Sequence, residues 1–275
     1  MSDAMLTLSG VAKRFGDVEA LTLIDLEISA GQIIGLVGGN GAGKTTLLRL
    51  MAGVMSPSAG FVNFKDMPVS EMRKKLGVVP ESTGLYSRLT AWENIRYHSR
   101  MYGIDDKVAW NRTAHFAKRL DVEDALSRHT KGFSRGMRQK TALLRALAHG
   151  PDILLLDEPT AGLDVTSART VRSLVTQLRD EGGTIIYSTH HLAEAQQVCD
   201  RIIIVHNGTI RADGSPNELL TITGKETLED AYVALTTDKA RSRAEDDQKE
   251  SRLAKWWRLF LTGSTPKISE VDEDE

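Results

Sequence analysis

The chain has 275 residues, 41% of them hydrophobic, enough to bury one large core or one core with a subdomain. A net charge of −2 gives no argument for nucleic acid, and no run of about 18 apolar residues is present to span a membrane. The single cysteine, Cys199, excludes an internal disulfide and suits a reducing cytosol, while Met1-Ser2-Asp3-Ala4 lacks the basic and apolar regions of a secretory leader.

In chain order, residues 6–15 and 24–28 read as strands of an N-terminal antiparallel sheet. The second, Ile24-Asp25-Leu26-Glu27-Ile28, alternates apolar and polar side chains. Gln32-Ile33-Ile34-Gly35-Leu36-Val37 then reads as a buried strand, and Thr45-Thr46-Leu47-Leu48-Arg49-Leu50-Met51-Ala52 as a helix. Between them, Gly38-Gly39-Asn40-Gly41-Ala42-Gly43-Lys44-Thr45 fits G-x-x-x-x-G-K-[ST], the phosphate-binding loop of nucleotide hydrolases. Glycines let successive N–H groups point at the phosphates, and the helix N-terminus adds its positive dipole end. Lys44 would reach the β- and γ-phosphates, and the Thr45 hydroxyl would ligate Mg²⁺. Gly38 to Thr45 and the following Thr46 are therefore the candidate ATP-binding residues. A dinucleotide site fits poorly, because no G-x-G-x-x-G can be read from these glycines.

Residues 31–80 carry the loop, its helix and a return to the sheet. From about 82 to 150 the pattern is helical and charged, and residues 151–213 return to alternating strands and helices. Asp152-Ile153-Leu154-Leu155-Leu156-Asp157-Glu158-Pro159 is a short branched apolar run ending in two acids, the pattern of a central parallel strand. Such a strand places Asp157 at its carboxyl end, where open α/β sheets bind ligands. Asp157 would hold Mg²⁺ through water, and Glu158 would orient or deprotonate the attacking water. The plainer alternative is an acid pair capping a strand in an ordinary turn.

His206-Asn207-Gly208-Thr209 reads as a hairpin turn, and residues 226–232 begin a short helix. Residues 237–250 are polar and charged, a linker or helix extension. Within 251–261, Leu253, Trp256, Trp257 and Phe260 share one helical face flanked by Arg252 and Lys255. That face would make a weak, salt-sensitive contact with a membrane surface, or dock on the protein itself. Residues 270–275 are acidic and read as disordered.

The remaining motifs carry a family resemblance. Phe133-Ser134-Arg135-Gly136-Met137-Arg138-Gln139-Lys140 resembles the signature motif of ATP-binding cassette (ABC) proteins. Gly162-Leu163-Asp164 resembles their D-loop, Ser188-Thr189-His190 the strand end carrying their switch histidine, and Phe15 their adenine-stacking aromatic. The motifs occur in the family's order over roughly residues 5–236. Within the family, Glu81-Ser82-Thr83-Gly84-Leu85-Tyr86 followed by Leu89-Thr90-Ala91-Trp92-Glu93-Asn94 looks most like ATPase subunits of bacterial sodium-efflux and drug-resistance exporters.

The resemblance implies an α/β fold: a P-loop NTPase (RecA-like) core, an N-terminal antiparallel β-subdomain and a helical subdomain inserted at about 82–150. The nucleotide-binding domain would span 1–236, with 237–275 as a tail. It implies an ATP-hydrolysing motor subunit with ATP and Mg²⁺ as cofactors, peripheral on the cytoplasmic face of the cell membrane. Its partners would be an integral-membrane permease and a second cassette, and no nucleic acid. Glu158 and His190 would be catalytic; Thr45, Glu81 and Asp157 would hold the metal. Phe133, Ser134, Arg135, Gly136 and Met137 would face the partner's ATP, with Asp164 in the D-loop.

Two features depart from the family's commonest pattern. Glu81 stands where glutamine is usual, adding a negative charge near the triphosphate. The signature reads F-S-R-G-M, so Arg135 and Arg138 add positive charge either to a phosphate surface or to a solvated helix face. Other readings also stand beside the resemblance. Ser134 is a favoured helix N-cap, and Phe15 alone suits a core or strand position. His190-His191 could be read as two metal ligands, although neighbours on a strand point to opposite faces. A soluble ABC ATPase is the alternative function; a non-hydrolysing cassette is opposed by the intact Glu158 and His190.

Overall fold

A computed structural model describes residues 4–65, 67 and 69–237. The expected linker beyond Thr237, the tryptophan-bearing 251–261 segment and the acidic tail lie outside the described residues. Two compact units divide after Ala231, and both sheets belong to the first.

The chain opens with β1 (Ala4–Phe15) and β2 (Val18–Ser29), an antiparallel pair. Ile24, Leu26 and Ile28 are buried while Asp25 and Glu27 are exposed, as the alternation requires. β3 (Ile33–Val37) leads into α1 (Lys44–Met51), and β4 (Ala59–Asn63) then returns to pair with β1. The three-stranded antiparallel sheet thus has the order β2-β1-β4.

After α2 (Val69–Lys74) comes β5 (Leu76–Val79), followed by α3 (Ala91–Met101), α4 (Asp106–Leu120) and α5 (Arg135–Leu147). Their starts are written in the sequence. Thr90 and Glu93 form a reciprocal capping box on α3, Asp105 caps α4, and Ser134 caps α5. Then come β6 (Ile153–Asp157), α6 (Val165–Asp180), β7 (Thr184–Thr189), α7 (Leu192–Val198), β8 (Arg201–His206) and β9 (Thr209–Gly214). Two helices, α8 (Pro216–Thr223) and α9 (Leu228–Thr236), complete the described chain.

The second sheet has the order β5-β6-β7-β3-β8-β9, parallel throughout except for the β8–β9 hairpin. That hairpin turns at Asn207 and Gly208, both at positive φ as a type I′ turn demands. Strands β3, β6 and β7 are buried at every residue, which explains their unbroken apolar runs. Leu47 and Leu50 of α1 pack in one cluster with Leu8, Val11 and Ile24 of the antiparallel sheet and Ile34 and Leu36 of β3. The phosphate-loop helix is therefore clamped between both sheets, which fixes its N-terminus. The carboxyl ends of β3, β6 and β7 lie side by side at that N-terminus. Cys199 is a free, buried thiol.

Candidate active site

The glycine loop bridges β3 and α1. Gly43 is the N-cap of α1 at φ 109°, and it makes no side-chain capping bond. A side chain there would be strained, and the first N–H groups of a helix have no carbonyl one turn back to bond. They are donors suited to an anion. Gly38 is dictated by close approach: a Cβ at that position would lie 2.3 Å from the carbonyl oxygen of Val205.

Lys44 is buried, and its Nζ donates to the Gly38 carbonyl at 2.8 Å and the Gly39 carbonyl at 3.2 Å. It also lies 3.4 Å from Glu158 Oε1. A cavity of about 490 Å³ opens over the loop, lined by Ala20, residues 39–46, Glu81, Glu158, Ala161 and His190. An adjoining cavity of about 160 Å³ shares Thr45 and Glu81 and adds Asp157. Thr45, Glu81 and Asp157 thus present a hydroxyl and two carboxylates to one space. This all-oxygen donor set suits Mg²⁺, which binds through few protein oxygens and keeps waters and substrate phosphates for the rest.

The two acids at the end of β6 have different settings. Asp157 pairs in register with Ser188 of β7, and its buried Oδ1 accepts a bond from Ser188 Oγ at 2.7 Å. The same hydroxyl accepts the Glu158 N–H at 3.0 Å. Glu158 sits at φ 51°, a left-handed conformation that costs a non-glycine residue about 1–2 kcal/mol. Its carboxylate meets Lys44 through Oε1 and the His190 ring through Oε2, which is 2.9 Å from Nδ1. Glu158 is nearly buried, whereas His190 is 42% exposed at its side chain and faces the cavity. His190 is engaged by Glu158, and its ring centre lies 4.0 Å from that of His191, because β7 ends at Thr189 and the two side chains do not take the opposite faces expected of strand neighbours. Among the described residues, no cluster of three or more His, Cys, Asp or Glu is placed to hold a metal.

The signature segment lies elsewhere on the chain. Ser134 Oγ caps α5 by accepting the Met137 N–H at 3.2 Å. Gly136 packs against the start of α6, where a Cβ would come 3.0 Å from Ser167 Oγ. Asp164, in the D-loop stretch, caps α6 by accepting the Ser167 N–H at 2.9 Å, and that bond holds its pKa below the usual carboxylate range. The Arg135 guanidinium covers Gly162, and Arg138 bonds back to the Phe133 carbonyl at 2.6 Å. Arg138 is thus engaged within its own segment, while Arg135 lies against the D-loop stretch. Phe133 is buried and packs in the core, while Ser134 and Arg135 are exposed. None of the residues 133–137 lines the cavity over the glycine loop. Phe15 is 48% exposed at the end of β1, so it is not a core aromatic, and Lys13 Nζ stands 5.2 Å from its ring centre.

Two functional-looking residues escape a reading of the sequence. Ser188, there only part of a motif, joins both acids through one hydroxyl. Arg145 of α5 reaches the segment after Glu81, where it donates to the Thr83 carbonyl at 2.7 Å and the Gly84 carbonyl at 3.2 Å. An arginine inside the apolar Ala142-Leu143-Leu144-Arg145-Ala146-Leu147 run is its available signal.

A strand-loop-helix phosphate cradle, two acids at the end of β6 in the same sheet and a histidine bonded to one of them define a nucleotide hydrolase of the P-loop class. The family model for ABC transporters matches residues 21–161. The chain is 38% identical over 239 residues to the ABC transporter ATP-binding protein NatA of Bacillus subtilis, covering 84% of this chain and 97% of that one. It is 33% identical over 233 residues to the daunorubicin resistance ATP-binding protein DrrA3 of Streptomyces coeruleorubidus, covering 83% and 74%. Among solved structures, the ATP-binding subunit of an ABC transporter superposes with a TM-score of 0.78 at 28% identity, covering 85% of this chain and 100% of that one. A dimeric ATP-binding cassette in a post-hydrolysis state with ADP and Pi gives 0.71 at 26% identity, covering 77% and 98%. The chain belongs to the ABC transporter family, as an ATP-binding subunit. It binds ATP and is an ATPase.

Proposed function

We propose that this cassette is the motor of an exporter: two copies close on ATP and drive a separate membrane permease. The observation that carries the chemistry is the Glu158 carboxylate held between Lys44 and His190 at the mouth of the glycine loop. Residues 38–46 cradle the phosphates with backbone donors, and Lys44 turns from the loop carbonyls to the β- and γ-phosphates. Glu158 accepts a proton from, or orients, the attacking water, and His190 holds that carboxylate in place. Thr45, Asp157 and Glu81 hold Mg²⁺, which when bound neutralises charge developing on the phosphates. Phe15, exposed at the end of β1 and outside the lining of the loop cavity, would stack on the adenine ring.

The other half of the site comes from a second copy. Ser134, Arg135, Gly136 and Met137 lie outside the cavity of their own chain, where a partner's ATP can meet the α5 N-terminus. Phe133 fixes that segment from beneath, and Asp164 positions the adjoining loop. The dimeric cassette with ADP and Pi supports pairing. Export is favoured by the names of similar proteins, which include a Nod factor export ATP-binding protein of Cupriavidus pinatubonensis and the daunorubicin resistance protein.

Among the described residues no helix is long and apolar enough to cross a membrane. In this reading the transport pathway belongs to the permease, and the cassette sits peripherally at its cytoplasmic side. The permease contact includes Tyr86, just after Glu81, whose exposed ring packs edge to face on the exposed Tyr97 of α3. Residues 1–236 form the nucleotide-binding domain, with 82–150 as its helical subdomain. Glu158→Gln tests the catalytic role: turnover falls about 10²–10⁴-fold with ATP binding intact. Unchanged turnover sinks it. Cysteine crosslinking from Tyr86 tests the partner, since a cassette unconnected to transport gives no link to a membrane protein.

A further inference from the structure

Glu194, in the first turn of α7, is a carboxylate with only 8% of its surface exposed. Its Oε2 accepts hydrogen bonds from Thr160 Oγ1 at 2.9 Å and Thr189 Oγ1 at 3.2 Å, and its Oε1 accepts from Arg172 Nη1 at 3.2 Å. The two threonines sit at telling positions. Thr160 follows Glu158 by two residues, and Thr189 immediately precedes His190. One buried carboxylate therefore bonds to both segments whose side chains meet at the Glu158–His190 contact.

Each tether acts on a backbone that needs it. Glu158 occupies a left-handed φ, which persists only where the surroundings over-determine it. The turn after it is closed by the Ala161 N–H on the Glu158 carbonyl at 3.1 Å and the Leu163 N–H on the Thr160 carbonyl at 3.1 Å. Thr160 is the residue through which this turn is fixed to α7, and the Tyr187 hydroxyl adds a longer bond to Thr160 Oγ1 at 3.4 Å. On the other side, Thr189 Oγ1 also accepts the His191 N–H at 3.0 Å, bracing the backbone on either side of His190.

A buried carboxylate must have its charge matched and its lone pairs filled, and Arg172 of α6 supplies the charge. Fastening α7 to α6 needs only that ion pair. Bonds from the same carboxylate to Thr160 and Thr189 serve a different end. We infer that Glu194 is a positioning residue for hydrolysis, whose bonds to Thr160 and Thr189 hold Glu158 and His190 in mutual register. The inference rests on the roles given above to those two residues.

The test uses the purified full-length chain and measures steady-state kinetics and melting temperature. Glu194→Gln keeps the volume but cannot accept from Arg172 and from both threonines together. It is expected to lower kcat about tenfold or more, the scale on which a misplaced catalytic group loses rate, with KM for ATP unchanged within about twofold. Thr160→Val removes one tether without touching the Arg172 pair, and it lowers kcat in the same way, while Thr160→Ser keeps the hydroxyl and restores it. In single-turnover hydrolysis, adding Glu194→Gln to Glu158→Gln causes no further loss, because Glu194 acts through Glu158. Normal kcat in Glu194→Gln and Thr160→Val, equal losses in Thr160→Val and Thr160→Ser, or a full additional loss in the double variant overturns the inference. If Glu158→Gln itself hydrolyses ATP normally, the assignment of Glu158 has failed and this inference falls with it. Loss in Glu158→Gln alone overturns only the part given to Glu194.

Discussion

The glycine-loop side of the site and the signature side are built differently. On the first, Glu158 contacts both Lys44 and His190, Ser188 joins the two acids, and Lys44, Asp157, Glu158 and His190 border adjoining cavities. On the second, Ser134 and Gly136 engage only their own helix and the start of α6, and they border neither cavity. The first half encloses a cavity within one chain, whereas the second is a capped helix N-terminus that borders neither cavity. Under the proposed function, binding falls to the first surface and completion of catalysis to the second.

The largest effect is expected on the first surface. Lys44→Met removes the buried cation and leaves Glu158 with His190 alone, so turnover falls about 10²–10³-fold and ATP binding weakens. Rates and nucleotide affinity measured together check it, and the contrast breaks if affinity is unaffected. Ser134→Asp keeps an N-cap acceptor but sets a negative charge against a phosphate. It should lower turnover about 10–100-fold, a smaller loss than Lys44→Met, while the affinity of the isolated chain for ATP stays within about twofold. A comparable loss of affinity would place the signature in its own chain's binding site.

Much of this was legible because the chemistry leaves few choices of residue. Gly38 has no room for a side chain, Gly43 must adopt a left-handed φ, and an apolar strand ending in Asp157 can meet the loop only at the sheet's carboxyl edge. The alternation of β2, the cap Ser134 and the Asn207-Gly208 turn were readable for similarly local reasons. What stayed hidden depended on distant partners. The 59–63 segment carries no apolar alternation, so its place beside β1 could not be read, and its residues are mostly exposed. The order β6-β7-β3 is set by crossovers instead of by neighbours in sequence. Ser188, Arg145 and Glu194 act on residues 31, 62 and 34 positions away, and their own neighbourhoods do not announce those bonds.

Smaller effects sharpen the comparison by probing the helices behind the signature. Arg145→Met frees the Thr83 and Gly84 carbonyls and should cost about 1–2 kcal/mol of stability, readable by denaturant unfolding. Its effect on hydrolysis should exceed that of an exposed control such as Arg169, because the tether positions the segment beside Glu81. Acid should destabilise the same region. Burial, reinforced by the charges of Arg145 and His149, pushes the His98 pKa down to about 4, and burial also lowers that of His149. Between pH about 6.5 and 4 the unfolded chain therefore binds protons that the native chain refuses. Stability is lost as pH falls through that window, and the His98 contribution levels off below about 4. Melting curves at pH 7.5 and 5 check the sign, and His98→Leu should shrink the difference.

The division of the site between two copies is tested most directly by mixing two impaired variants. A dimer of Lys44→Met with Ser134→Asp has one site with both defects and one with neither, provided the glycine loop of each chain faces the signature of the other. Mixing them is therefore predicted to raise ATP turnover above that of either variant alone. If each chain carries a whole site, every site in the mixture remains defective, and turnover no higher than the average of the two variants would contradict the account.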